Sequence, residues 1–264
     1  MGRGHQVSSG PSQETLNHDA ALFGRCVGSP AVVVAMDEEA KPFLTRAEEQ
    51  AAQPLTVGTA LVYAIVLESQ PVLIVRTGIG LVNAAAALTA VIERFEPSAV
   101  ISAGSAGGLR ADVNVGDLVI GTGYRYTDAD ATAFGYVPGQ VPGMPETYSP
   151  AENLLGATDE TLVATDNQTV LRGTMLSGGS FVTEANVGAT REIFPEALST
   201  DMETVALAQV CTTREYPFVA VRSISDLCGP AAGQQFHLEI DLVAEISASA
   251  VCQVLNTLRQ STSE

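Results

Sequence analysis

Positive charge is scarce in this sequence. Lys41 is the only lysine, and 13 basic residues face 30 acidic ones, for a formal net charge of −17. That field repels phosphate backbones and anionic bilayers, which argues against nucleic acid and membrane surfaces as partners. The acidity otherwise reads as a solubilising surface. Cysteine and histidine are equally sparse. Cys26, Cys211, Cys228 and Cys252 are scattered without a CxxC pair, and His5, His18 and His237 stand alone. This spacing supports neither a metal site nor a Ser–His–Asp triad. It suits a reduced, cytoplasmic setting with Cys211 and Cys252 as small core residues. No apolar run approaches the roughly 20 residues needed to span a bilayer. The first 30 residues are polar and Gly/Ser-rich with no apolar signal core. They are expected to form a loose, disordered extension, leaving residues 31–264 as one folded domain.

What the chain does have is a regular alternation of short apolar runs with helical patterns. Ala31–Met36, Leu61–Leu67, Val72–Arg76, Ala99–Ala103, Asp117–Gly121, Val170–Leu176 and Phe218–Ile224 read as strands. Asp37–Gln50, Asn83–Phe95, Asn186–Phe194, Met202–Arg214 and Leu238–Leu258 read as helices, and a Gly/Pro-rich aromatic loop runs from Tyr124 to Pro150. Strands alternating with helices predict a three-layer α/β/α domain. Ligands in such sheets bind beyond the carboxyl ends of the strands. The polar residues at those exits are Glu38 and Glu39, Gly78 to Gly80, Ser105, Asp201 to Glu203, Ser225 and Asp226.

Taken singly, these residues have plain structural readings. Glu38 and Glu39 also describe a charged first helical turn, and Asp201 and Asp226 also describe caps. Arg222 reads equally well as a structural residue. Acids grouped at strand exits without basic partners suit chemistry that builds positive charge, as glycoside cleavage does. Gly78-Ile79-Gly80 completes neither a GxGxxG nor a Walker motif, so neither motif points to a nucleotide phosphate. Gly104-Ser-Ala-Gly-Gly108 offers backbone N–H groups and one hydroxyl, fit to cradle an anion or to let the chain pass beneath a base.

Six segments occur together and in order: Ala35-Met-Asp-Glu-Glu39, Thr77-Gly-Ile-Gly80, Gly104-Ser-Ala-Gly-Gly-Leu109, Tyr126-Thr-Asp-Ala-Asp-Ala-Thr-Ala-Phe-Gly135, Asp201-Met-Glu203 and Arg222-Ser-Ile-Ser-Asp226. In this order and spacing the chain, from about Ala31 to its end, resembles the 5′-methylthioadenosine/S-adenosylhomocysteine nucleosidases. The resemblance implies a nucleoside phosphorylase/hydrolase-like fold with a mixed central sheet. It also implies hydrolysis of the N-glycosidic bond of a 5′-thio-substituted adenosine, with no cofactor and no metal. Glu39 would position and deprotonate the water, and Asp226, oriented by Ser225, would protonate adenine N7. Glu203 would bind the ribose hydroxyls with Met202 beside the sugar, and Ser105, Ala106 and Gly107 would line the ribosyl side. Phe181 would stack on the adenine, and Val182 would offer backbone groups to its edge. Met36, Phe134, Pro142 and Phe236 would line an apolar 5′ pocket, with Phe134 and Pro142 supplied across a homodimer interface.

The chain departs from the family pattern at Asp201, where glutamate is usual, and along Cys228–Gln235. Two other readings keep the same fold. A phosphorylase needs cationic surroundings for its phosphate. The related hexameric phosphorylases carry an arginine where this chain has Ser102, and an arginine-bearing segment where it has Asp37-Glu38-Glu39. A non-catalytic nucleoside-binding relative would be expected to lose one of the acids, yet Glu39, Glu203 and Asp226 are all present.

Overall fold

The computed structural model describes residues 13–49, 51–165 and 168–262. In chain order its first half comprises α1 (Gln13–Arg25), β1 (Ala31–Val34), α2 (Asp37–Thr45), β2 (Leu55–Val57), β3 (Ala60–Leu67), β4 (Gln70–Arg76), α3 (Leu81–Phe95) and β5 (Val100–Gly108). Then follow β6 (Leu118–Tyr126), α4 (Glu152–Thr161), β7 (Val170–Ser177), α5 (Glu184–Ile193), β8 (Ser199–Asp201), α6 (Thr204–Arg214), β9 (Phe218–Asp226) and α7 (Ala232–Thr262).

The central strands are continuous β-branched and aliphatic runs because both of their faces are covered. Ala31, Val33, Leu73 and Val75 point into one core with α1, α3 and α6. Val32, Val34, Val72 and Ile74 point into the other with α2, α4 and α7. This alternation of neighbours between two cores is the period-two signature of a sheet between helical layers. The strand order is β2-β3-β4-β1-β5-β8-β7-β6-β9, and β5 also pairs with β9. The strands β5, β8, β7, β6 and β9 therefore close into a ring, while β1 to β4 extend it as an open, mixed sheet. Parallel β1, β5 and β9 end side by side. Their exits, with the end of β8, bring together residues more than a hundred positions apart.

The segment before β1 differs from the expected loose extension. Residues 13–25 form a helix, and Leu22 and Cys26, one helical turn apart, are 1% and 0% exposed against the core shared with α3. With Phe23 stacked on Phe95, these side chains dock a helix whose other face is polar. Residues 1–12 lie outside the described residues. Helix α2 stops at Thr45, where the Arg46 N–H turns back to the Phe43 carbonyl and the Arg46 guanidinium donates to the Pro42 carbonyl. Strand β5 runs through Gly108, so the glycine-rich segment is itself strand, and β6 runs on to Tyr126. Helix α4 arises from a polar stretch with only Leu154, Ala157 and Thr158 buried, too weak a stripe to read from sequence. Among the described residues, no helix is long and apolar enough to cross a membrane, and no His/Cys/Asp/Glu group could hold a metal. All four cysteines are free and buried.

Leu22→Ala is expected to lower unfolding stability by about 2–5 kcal/mol, the cost of truncating a packed core leucine. Urea denaturation checks this, and a change within error of zero would mean that α1 does not belong to the cooperative fold.

Candidate active site

Where β1, β5 and β9 end, a cavity of about 400 Å³ opens, lined by acids at its floor and apolar side chains at its mouth. Glu39 is 1% exposed, on the first turn of α2. Its Oε2 accepts from the backbone N–H of Ala35 (2.9 Å) and Met36 (3.2 Å), a helix-start geometry that fixes the side chain beside its own backbone. Its Oε1 accepts from the N–H (2.8 Å) and hydroxyl (3.0 Å) of Ser105 on β5. Four donors thus lock one carboxylate between β1 and β5. The close approach requires Gly104, which has φ +126° and where a Cβ would collide with the Glu39 carboxylate.

Arg222 on β9 is 1% exposed. One of its Nη atoms donates to the Ser105 carbonyl (2.8 Å), the other to the Ser102 hydroxyl (3.0 Å). Its Nε lies 3.2 Å from Asp201 Oδ2, and Nη1 lies 3.7 Å from Glu203 Oε2. Asp201 in turn accepts from the Ser177 hydroxyl (2.7 Å), from the Glu203 and Thr204 amides (2.9 Å each) and from the Thr204 hydroxyl. It therefore caps α6 while neutralising the arginine. Glu203 accepts from the Gly80 N–H at 2.8 Å. Burial raises its carboxyl above the usual range against the opposing pull of Arg222.

Asp226, at the end of β9, is 1% exposed, and burial raises its carboxyl above the usual range as well. Its Oδ1 accepts from the Cys228 N–H at 2.9 Å, and the Ser225 hydroxyl lies 3.0 Å from its Oδ2 and 3.3 Å from the Ala106 carbonyl. No cation lies within ion-pair distance of it among the described residues. The three acids thus occupy different settings: one among amides, one beside an arginine, one buried with two neutral donors and no cation. Environments that differ in this way let one carboxyl hold a proton while another accepts one.

The phosphorylase superfamily model matches residues 30–259. A 5′-methylthioadenosine/S-adenosylhomocysteine nucleosidase from Bacillus thuringiensis (strain Al Hakam) is 38% identical over 230 residues, covering 87% of this chain and 99% of that one. The chain belongs to this nucleosidase family. The Neisseria meningitidis nucleosidase in complex with methylthio-immucillin-A superposes with a TM-score of 0.83 at 34% identity, over 87% of this chain and 99% of that one. The Colwellia psychrerythraea 34H nucleosidase in complex with adenine gives 0.82 at 32%, over 88% and 96%.

Of the residues that the nucleosidase resemblance pointed to, Met36, Glu39, Ser105, Ala106, Gly107, Phe181, Val182, Met202, Glu203, Ser225, Asp226 and Phe236 all line this one cavity. Phe134 and Pro142 do not. They stand exposed on the long loop, Phe134 at 83%, away from the cavity of their own chain. Two readings need correction. Glu203 has a basic partner, since an arginine inside an apolar strand is spatially, not sequentially, beside it. The amides at Gly104 and Ser105 are also not free to cradle an anion, being taken by the Ser247 hydroxyl and by Glu39. The shorter Asp201 reaches Arg222 and the α6 start without the extra methylene of the family glutamate. Sequence reasoning missed Ser180, Thr200, Cys228, Gly233 and His237 as lining residues, while Ile79 lies within the strand exit Gly78 to Gly80 that it singled out. The adjacency of Ser180, Cys228 and His237 to residues already singled out was the available signal.

Gly104→Ala is expected to displace Glu39 and to cost about 10²-fold in nucleosidase kcat/KM, the scale of an ångström misplacement. Near-normal turnover in a folded variant would show that the Glu39 position does not depend on this glycine.

Proposed function

We propose that this enzyme hydrolyses the N-glycosidic bond of 5′-methylthioadenosine and S-adenosylhomocysteine, releasing adenine and a 5′-thioribose that feeds methionine salvage. The observation that carries the choice of water is the pairing of the buried Arg222 with two acids of its own chain. Its guanidinium is held by Asp201, Glu203, Ser102 and Ser105, so a phosphate nucleophile entering this acid-lined floor meets no available strong cation.

The residues divide the work as follows. Asp226, whose burial lets it hold a proton at higher pH than an ordinary carboxyl, gives that proton to adenine N7 as the C1′–N9 bond breaks. Ser225 orients it by sharing its hydroxyl between Asp226 and the Ala106 carbonyl. The ribosyl group develops oxocarbenium character, favoured by the negative charge of the floor. Water attacks C1′ and loses its proton to Glu39, which Ser105 and two amides hold in place. Glu203 accepts hydrogen bonds from the ribose hydroxyls, with Met202 packing beside the sugar and Ser105, Ala106 and Gly107 lining it. Phe181 stacks on the base, and Val182 meets its edge through the backbone.

The 5′ substituent lies against Met36 and Phe236, completed by Phe134 and Pro142 of a second copy in a homodimer. An apolar 5′ pocket favours a thioether and leaves a free 5′-hydroxyl unpaired. Phe134, 83% exposed on its loop, and Val82, 81% exposed in an apolar groove between α3 and α6, support that assembly. Four free, buried thiols suit a cytoplasmic setting.

Asp226→Asn is expected to lower kcat by about 10²–10⁴-fold, the contribution of a general acid. The folded state holds the Asp226 proton to higher pH than the unfolded chain does. It therefore binds more protons in that interval and loses stability as pH rises through it. Asn escapes that loss, so the variant should be at least as stable as wild type above the interval, read by thermal melts across pH. Full activity, or loss through unfolding alone, would remove Asp226 from its role. Phe134→Ala should weaken turnover of 5′-thio nucleosides more than that of adenosine, and an equal loss would take Phe134 out of the 5′ pocket.

A further inference from the structure

His237 sits in the first turns of α7, directly after Phe236, and lines the cavity at its solvent-exposed side. Its ring packs edge-on to Phe236, with centroids 5.6 Å apart at 71°, and makes no hydrogen bond to another described residue. Its surroundings are otherwise short of donors for an anion. The floor carries Glu39, Asp201, Glu203 and Asp226, and Cys228 is a neutral thiol pushed up to about 12 by burial. Arg222 is buried and committed to two of those acids. Among the described residues, His237 is therefore the one lining side chain that can offer an uncommitted, charge-capable N–H to a carboxylate.

We infer that His237 is a specificity-determining residue that binds the α-carboxylate of a 5′-thio substituent ending in an amino acid, as S-adenosylhomocysteine does. The inference rests on the proposed reading that the cavity takes 5′-thioadenosines with the substituent against Phe236. A substituent passing Phe236 toward solvent meets the next residue of the same helix, His237. The thioether and its methylenes stay on apolar surface while the carboxylate reaches the imidazole. The ammonium of the same tail faces a protein of net charge −17 and needs no dedicated partner. A methylthio group is too short to reach this contact, so the residue separates two substrates that share adenine, ribose and sulfur.

The test compares kcat/KM for S-adenosylhomocysteine with that for 5′-butylthioadenosine, which keeps the thioether and a hydrocarbon chain but lacks the ionic head. In His237→Ala the ratio of the two is expected to fall about three- to fivefold, the scale of one ion pair at an exposed rim. It should fall further in His237→Glu, with the change carried by KM for S-adenosylhomocysteine. An unchanged ratio in both variants, or an equal loss for both substrates from disturbed Phe236 packing, would overturn the assignment. If the wild-type enzyme released adenine from neither compound, the parent reading would fail and the subsite with it. Cleavage of both with an unmoved ratio would sink the subsite alone.

Discussion

Arg222 reaches from the middle of β9 into space closed to water, and oxygens from three other places in the chain receive its guanidinium. Ser102 and Ser105 come from β5, Asp201 ends β8, and Glu203 precedes α6. A buried guanidinium is costly unless its charge is matched. Here Asp201 and Glu203 match the charge and both Nη atoms donate to β5, while Nε lies at ion-pair distance from Asp201 without a hydrogen bond. These contacts join strands that the chain order keeps far apart. The same carboxylate that neutralises the arginine accepts from the Glu203 and Thr204 amides, so the start of α6 is set by the same pairing. Removing one partner would leave an unpaired buried charge, at a cost of about 3–5 kcal/mol.

That contact also divides the chemistry of the floor. Arg222 is engaged with Asp201 and Glu203, and no cation lies within ion-pair distance of Asp226 among the described residues. Burial raises the Asp226 carboxyl against the opposing hydrogen bonds from Ser225 and Cys228, in the direction that an acid catalyst needs. Glu39 is held instead by neutral donors from Ala35 and Met36, in the turn between β1 and α2, and from Ser105. Three carboxyl groups in one cavity thus differ in what surrounds them, and it is surroundings that allow one to give a proton and another to take one. A site built in this way suits a neutral nucleophile and a cationic transition state, and it opposes an anionic nucleophile.

Much of this was legible in sequence. β-Branched runs such as Ala31–Met36 located the central strands, and their exits located Glu39, Ser105, Glu203 and Asp226, because a sheet covered on both faces leaves ligands only its strand ends. What escaped depends on three-dimensional neighbours. Helix α1 is a largely polar stretch that docks through Leu22, Phe23 and the adjoining Cys26 on α3 and the edge strands. The demand for glycine at position 104 appears only once Glu39 is seen pressed against it. Arg222 left a readable trace, a charge inside an apolar strand, but its partners lie outside any sequence window. His237 looked isolated because its relevance comes from the cavity and not from ligand spacing.

The central claim is that water, not phosphate, takes the ribosyl group. Turnover of 5′-methylthioadenosine in ¹⁸O-labelled water, with and without added phosphate, followed by mass spectrometry of the sugar product, tests it most directly. The account predicts one ¹⁸O at C1 of the free 5′-thioribose and an equal rate of adenine release in both buffers. Phosphate-dependent release with a 1-phosphorylated, unlabelled sugar would contradict it.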